Sequence, residues 1–417
     1  MDDAEIHSAF IYAFPIYEMA KLRRKALFDR TNAAHTGLNR FWHQERLSTH
    51  ADRWVTTPNV DTLYSVAWLA LDQGPVKLDL PPTGGRYLSV AMLDMFTDNF
   101  DVIGPRNCSS AGATLFLAGP DCAVEVPDNA RVIHAPSNDI MLLARVVAAP
   151  GDDEKVANTL QEQLVLTPLG LVRDLPQVAN KNSDAEDCVA LLRDAFARNP
   201  PRTHEKAMRD RLIALGLMVD PASGAYASAE QFADRFASYV AALPEANRIG
   251  RPPVGGWTYT HPSLGNFGTF YRLRSQVALG GLLALPQTEA IYISSDTDAE
   301  NALLDGSNQY VLRVPPGGIP ADSFWSITMY EVEPNGARFL VDNPIRRYCL
   351  NDRSPGLDIR PDGSIDVFLQ RAEPAVAKVP NWLPTPAGPF RVVVRAYLPR
   401  ASLIDGRFRM PPIEKAS

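Results

Sequence analysis

The feature that most limits what this chain can fold into is a double change of period along its length. Between 55 and 147, short runs rich in β-branched and aromatic residues occur at 63–71, 86–93, 114–117, 131–134 and 140–147. Turn residues separate them, including Gln73-Gly-Pro75, Pro82-Thr-Gly-Gly85 and Ala118-Gly-Pro120. Such spacing belongs to antiparallel sheets rather than to βαβ units. From 153 to 244 the pattern becomes helical, with amphipathic stretches near 153–163, 184–197, 203–216 and 228–242. Residues 245–268 are Pro/Gly-rich loop, and a further helix is expected over 269–284. Short strands then return at 290–294, 309–314, 323–332, 365–370 and 390–397.

The expected class is therefore α+β. Two antiparallel β-sandwich domains of jelly-roll type would be joined by a helical segment and preceded by a helix. The divisions fall at 1–54 (helical), 55–150 (first β domain), 151–285 (helical linker region) and 286–417 (C-terminal β domain). Within the first, Ile6, Phe10, Ile11, Phe14, Tyr17, Met19 and Leu22 trace one helical face. Pro15 interrupts it and is expected to kink or divide the helix.

Charge narrows the partners. The net charge is −7 over 417 residues, which opposes nucleic acid and anionic membrane surfaces as partners. A small molecule is the expected partner, and self-assembly into a homo-oligomer stays open. The start, Met-Asp-Asp-Ala-Glu, lacks the basic and apolar stretches of a secretory leader, and the longest apolar run, 277–285, is too short to span a bilayer. A cytoplasmic location is expected. Cys108, Cys122, Cys188 and Cys349 form no CxxC pair and read as reduced, buried thiols; a Cys108–Cys122 bridge would need an oxidising compartment.

The segment Pro58-Asn-Val-Asp-Thr-Leu-Tyr-Ser65 resembles the hallmark of the family called domain of unknown function 1254. Gly74-Pro75, Gly85-Arg86-Tyr87, Leu93-Asp94, Asp98-Asn99-Phe100, Gly104, Arg106 and Gly119-Pro120 follow in the same order. The C-terminal part resembles domain of unknown function 1214. There the matching stretches are Ala321-Asp-Ser-Phe-Trp-Ser-Ile-Thr-Met-Tyr330, Asp342-Asn-Pro344, Arg347-Tyr348, Asp362-Gly-Ser364 and Asn381-Trp-Leu-Pro-Thr-Pro386. The resemblance implies a tandem of the two domains and supplies positions for a site, but no reaction. Many relatives begin with an export leader, which this sequence does not show.

Familiar chemistries are missing. The sequence contains no G-x-S-x-G, no GxxxxGK[ST] and no GxGxxG, and its seven histidines make no HxxxH or HExxH. No cofactor and no metal site is assigned. What stands out is Asn59-Val-Asp-Thr-Leu-Tyr64 at the mouth of a strand. There Asp61 would be acid/base, Tyr64 a hydroxyl donor, and Asn59 and Thr62 polar contacts; the bland alternative is a turn that bonds its own backbone. Asp94, Asp98, Asn99 and Asp101 form an acidic cluster. It reads as a solvated loop with one carboxylate paired to Arg106, or as oxygen ligands for a hard cation. Asp94, Asn99 and Arg106 are expected in one substrate-binding region with Asn59, Asp61 and Tyr64, through pairing of the strands at 63–71 and 86–93. Arg106 or Arg272 would anchor an anionic substrate. Tyr271, Arg272 and Arg274 would line an inter-domain cleft or pair structurally, and Trp382 would wall a ligand or cap a sheet edge. The reading assembled from these is a small-molecule enzyme of hydrolase or lyase type. Its alternatives are a non-catalytic ligand-binding protein using the same pocket, and a structural or assembly module.

Overall fold

In the computed structural model, residues 1–122, 125–127, 130–246 and 253–416 are described. Part of the expected 245–268 loop, residues 247–252, lies outside them. The first β part contains β1 (Trp42–His43), β2 (Thr62–Ala70), β3 (Val76–Leu80), β4 (Leu88–Asp94), β5 (Asn99–Ile103), β6 (Ala113–Ala118), β7 (Arg131–His134), β8 (Asp139–Val147) and β9 (Val165–Pro168). They form a five-stranded sheet in the order β1-β2-β8-β4-β5 and a four-stranded sheet β7-β6-β3-β9. All pairings are antiparallel except β6–β7. Alternate residues on β2, β4 and β8, such as Leu63, Val90 and Leu142, share one buried core with Val76, Leu78 and Leu117 of the smaller sheet.

Seven helices are described: α1 (Asp3–Phe28), α2 (Asp152–Glu162), α3 (Asp184–Arg198), α4 (Lys206–Ala214), α5 (Glu230–Ala246), α6 (Tyr271–Gly280) and α7 (Ala401–Ile404). Asp2 and Glu5 close a capping box at the start of α1. Pro15 does not divide α1, which runs through it from Asp3 to Phe28. A proline inside a helix sacrifices one backbone bond. Here the surrounding residues, Phe10 to Tyr17, are all buried, so packing holds the helix together. Its aromatics join Leu191, Leu192 and Phe196 of α3 and Phe232 and Phe236 of α5 in the largest apolar cluster. A hairpin, β10 (Val219–Asp220) with β11 (Ala225–Tyr226), precedes α5.

The C-terminal strands are β12 (Trp257–Tyr259), β13 (Ala290–Ser295), β14 (Tyr310–Val314), β15 (Ala321–Val332), β16 (Arg338–Leu340), β17 (Cys349–Asn351), β18 (Ile365–Gln370), β19 (Trp382–Pro384), β20 (Phe390–Pro399) and β21 (Ile413–Lys415). The larger sheet runs β12-β13-β20-β15-β16, with β17 also on β15, and the smaller runs β19-β18-β14-β21. Ile291, Ile327, Met329, Val392 and Val394 point into the core shared with the smaller sheet. The intervening residues of the same strands, among them Phe324 and Tyr397, belong instead to the cluster built on α1 and the outer face of the first sheet. The chain is thus α+β, with an N-terminal helix and mostly antiparallel sheets. The large sheets of the two β parts turn one face towards each other. Among the described residues, no helix is long and apolar enough to cross a membrane.

Candidate functional site

Strand period decides what lies between the facing sheets. On the first sheet, Tyr64 and Ser89 flank Arg145 at the same level of β2, β8 and β4. On the second, Tyr292, Arg395 and Ser326 align across β13, β20 and β15. Each row carries one arginine inside an apolar stretch of its strand. Together they make a polar seam in an apolar interface.

Asp61 enters this seam just before β2 and is fully buried. Its backbone N–H donates to Asn59 Oδ1 at 2.6 Å, an Asx turn that aims the side chain. Its carboxylate accepts from Ser326 Oγ at 2.5 Å. Arg353 Nη2 stands 3.8 Å and Cys349 Sγ 4.0 Å from the other oxygen. Asn59 donates across the seam to the Tyr397 hydroxyl at 2.7 Å. Burial, reinforced by the charge of Asp61, pushes the Cys349 thiol up, so it is a protonated thiol rather than a thiolate. Asp352, beside Arg353, is pushed up to about 6, mainly by burial.

Two guanidinium groups complete the seam, and each residue is only 4% exposed. Arg395 donates to Thr328 Oγ1, to the Tyr330 hydroxyl and to the carbonyl of Thr57, at 3.0, 2.7 and 3.1 Å. Thr57 holds φ at +50°, an uncommon value for a β-branched residue. Arg145 has one partner, the carbonyl of Leu283 at 3.1 Å from Nη2. Its Nε and Nη1 have no hydrogen-bond partner. Its guanidinium lies 5.3 Å from the ring centroid of Tyr64. Tyr292 feels the charge of both arginines. Among the described residues neither arginine makes an ion pair within 4.0 Å.

Of the residues expected to form one site, Asn59, Asp61, Thr62 and Tyr64 are here. Asp94 and Asn99 are not. Strands β2 and β4 do not pair directly, because β8 lies between them. Asp61 adjoins Ala148 while Asp94 faces Ile140, eight residues along β8. That is about 27 Å at strand rise. Asp94 instead closes the β4–β5 turn, accepting from the backbone of Phe96 and Asp98, both at 3.0 Å. Its cationic partner is Arg202 at 2.9 Å, and Asp98 meets Arg202 and Arg274. Asn99 donates to the carbonyls of Gly265 and Ala284.

Arg106 does not pair with the acidic cluster. It binds Glu289, with Nε 3.0 Å from Oε2, and Tyr87 donates to the same carboxylate at 2.6 Å. Glu289 is fully buried, and its demand for donors explains the choice. Arg106 is therefore a staple between the β parts. Tyr271 donates to Glu205 at 2.8 Å, Arg272 is exposed, and the buried member of that helix is Arg274. Trp382 does not line the seam; it lies on the edge strand of the smaller C-terminal sheet, in line with the structural alternative. It sits on β19, 1% exposed, with Nε1 donating to the Gln370 carbonyl. A surface cleft of about 360 Å³ opens beside residues 384–387 and another of about 230 Å³ beside Arg86 and Cys108; neither includes Asp61, Arg145 or Arg395. Among the described residues no three His, Cys, Asp or Glu side chains gather as a metal site.

Arg145, Arg395, Tyr292, Tyr397, Ser326 and Asp352 were missed from the sequence. The arginines had a signal. Each is a lone charge in an apolar strand run, Met141-Leu-Leu-Ala-Arg-Val-Val147 and Val392-Val-Val-Arg-Ala-Tyr397. Such a residue has to face something polar.

These features define a class: a two-part α+β protein whose facing sheets bury a charged, hydroxyl-lined seam. Family models place it further, matching "Protein of unknown function (DUF1254)" at residues 38–168 and "Protein of unknown function (DUF1214)" at 289–401. The chain belongs to the family in which these two domains stand in tandem. Its fold is similar to the crystal structure of the VPA0106 protein from Vibrio parahaemolyticus. That likeness has TM-score 0.75 and 22% identity, and covers 99% of both chains. An uncharacterized protein from Burkholderia cenocepacia matches at TM-score 0.48 and 14% identity, over 98% of this chain and 88% of its own. No curated protein matches this sequence.

Proposed function

We propose that the chain is an enzyme acting on a small molecule by acid/base chemistry, of hydrolase or lyase type, in the seam between the two β parts. The observation that supports it is the placement of Asp61. It is a fully buried carboxylate 2.5 Å from the Ser326 hydroxyl, with its nearest guanidinium held off at 3.8 Å. Glu289, by contrast, is a structural carboxylate that holds the Arg106 guanidinium in direct contact. Asp61 would take or return the proton. Tyr64, half-buried on the same face as Arg145, would donate its hydroxyl to the substrate. Asp352, held near 6, supplies a second titratable group nearby. The paired sheets sharing one core in each half also support a sandwich of jelly-roll type for each β part.

The test is a panel of activated esters, lactones and β-elimination substrates assayed with the native protein and Asp61→Asn. Turnover in the native protein, reduced at least about 100-fold in the variant, is expected. Equal turnover in both overturns the role of Asp61. Binding of panel compounds without turnover favours the non-catalytic reading, for which the unpartnered donors of Arg145 would suffice.

A further inference from the structure

An arginine in a protein interior keeps its charge, because its guanidinium is too basic to lose it. A buried charge is costly unless donors are satisfied and an opposite charge is near. Of the four buried arginines among the described residues, two lie against a carboxylate. Arg23 shares Asp139 with the half-buried Arg198, and Arg274 meets Asp98, although its Nε and Nη1 have no hydrogen-bond partner either. Arg395 is only partly compensated, yet three oxygen atoms surround it and Asp61 acts on it across the seam.

Arg145 is the exception. It is 4% exposed, contacts no carboxylate among the described residues, and uses a single nitrogen in a hydrogen bond. Nε and Nη1 together carry three of the five N–H bonds of a guanidinium. The guanidinium faces the Tyr64 ring, and Tyr292, Tyr397 and Tyr87 are near enough to act on its charge. Tyrosines soften a cation through their ring faces and can donate to an anion, but they do not neutralise it. The Tyr397 hydroxyl accepts from Asn59, which leaves its own hydrogen to give. Tyr64 and Tyr292 are half-buried, so the seam meets solvent on their side.

We propose that the seam takes a small anion, and that Arg145 receives its oxyanion, with Tyr397 donating beside it. This rests on the seam being the ligand site but not on catalysis by Asp61. The oxyanion is a carboxylate or a tetrahedral phosphate or sulfate group. Both meet three N–H donors and a hydroxyl equally well, and the experiment separates them. The bound anion supplies the negative charge that the protein itself leaves out, so Arg145 costs stability in the free protein and returns it on binding.

The test uses the full chain with three probes at matched ionic strength: sodium benzoate, potassium phosphate and potassium sulfate, each against potassium chloride. Melting temperature and calorimetric Kd are read for the native protein, Arg145→Lys, Arg145→Met and Asp61→Asn. At least one probe is expected to stabilise the native protein beyond chloride. Benzoate alone assigns a carboxylate ligand, whereas phosphate or sulfate alone assigns a tetrahedral one. Arg145→Met is expected to bind that probe at least 10-fold more weakly, yet to melt at or above the native temperature when probe is absent, since an uncompensated buried charge has gone. Arg145→Lys, which keeps charge without the fork, should bind at an intermediate level. Asp61→Asn should bind at least as tightly as the native protein, whatever happens to its turnover. Failure of all three probes to exceed chloride overturns the proposal. So does unchanged binding in both Arg145 variants. A large fall in the melting temperature of Arg145→Met without probe does the same, because it marks the residue as a structural prop for the Leu283 carbonyl.

Discussion

Arg106 shows how one buried carboxylate redirects a cation. Glu289 sits at the entrance to β13 with no exposure, and it needs donors from whichever element passes closest. The loop after β5 carries Arg106 there, while Tyr87 reaches it from beside β4. The consequence is measurable. Arg106→Ala should cost about 2 kcal/mol in urea unfolding, below the value for a fully buried pair because the Arg106 side chain is 39% exposed. It should leave oxyanion binding in the seam unchanged. Weakened binding with unchanged stability would instead make Arg106 the anion anchor first expected of it. Asn59 and Asp61 were legible in the sequence because their role is local: an Asx turn at a strand entry can be seen within three residues. The partners of Asp61 were not. Ser326 and Arg353 lie more than 260 positions away, and only the meeting of two sheets brings them together.

At the level of elements, the turn from β4 to β5 is fastened to the helical layer by Asp94, Asp98, Arg202 and Arg274. Burial first, and Asp98 second, push Asp94 up to about 6 from 3.8, against the pull of both arginines. Its folded pKa therefore lies above its unfolded one, so the native state binds more protons between about 4 and 6. The stabilisation is fully present below about pH 4 and is lost as pH rises through 6. Two pKa units amount to about 3 kcal/mol. Other carboxylates titrate in the same window, so the quantity to follow is the stability of the native protein minus that of Asp94→Asn. That difference should fall between pH 4 and 7; a flat profile would refute the shift. The alternation of strands and helices was readable because each run kept a single period. Strand β3 went unnoticed although Val-Lys-Leu-Asp-Leu alternates strictly, since its two charges diluted the apolar run. Strand β5 was hidden by Asp101 within it and Asp98 just before it, which read as loop. The order of strands was not legible. Placing β8 between β2 and β4 depends on pairings between residues 46 to 85 positions apart, and local pattern carries no information about them.

The largest apolar cluster does not respect the division into β parts, and this sets how the whole molecule should unfold. Phe324, Tyr397 and Leu398 of the C-terminal part lie in it with Trp68, Tyr87, Leu143 and the aromatics of α1. Tyr397 stacks on Phe324 with centroids 4.3 Å apart and meets the edge of Tyr87 at 5.4 Å. Polar links across the same interface include Asn59 to Tyr397, Ser326 to Asp61 and Tyr330 to the Pro58 carbonyl. Separating the halves would expose these rings and break these polar links, so neither half gains by unfolding alone. Calorimetry should show one transition, with van't Hoff and calorimetric enthalpies equal. Tyr397→Ala removes a large buried ring and should cost about 3–5 kcal/mol. If the halves are one cooperative unit, it shifts that single transition down without splitting it. Two resolved transitions in the native protein, or a Tyr397→Ala trace in which one half melts early while the other keeps its temperature, would show that the interface is an incidental contact. In that case the seam could not be held rigidly enough to position Asp61 and Arg145 on one ligand.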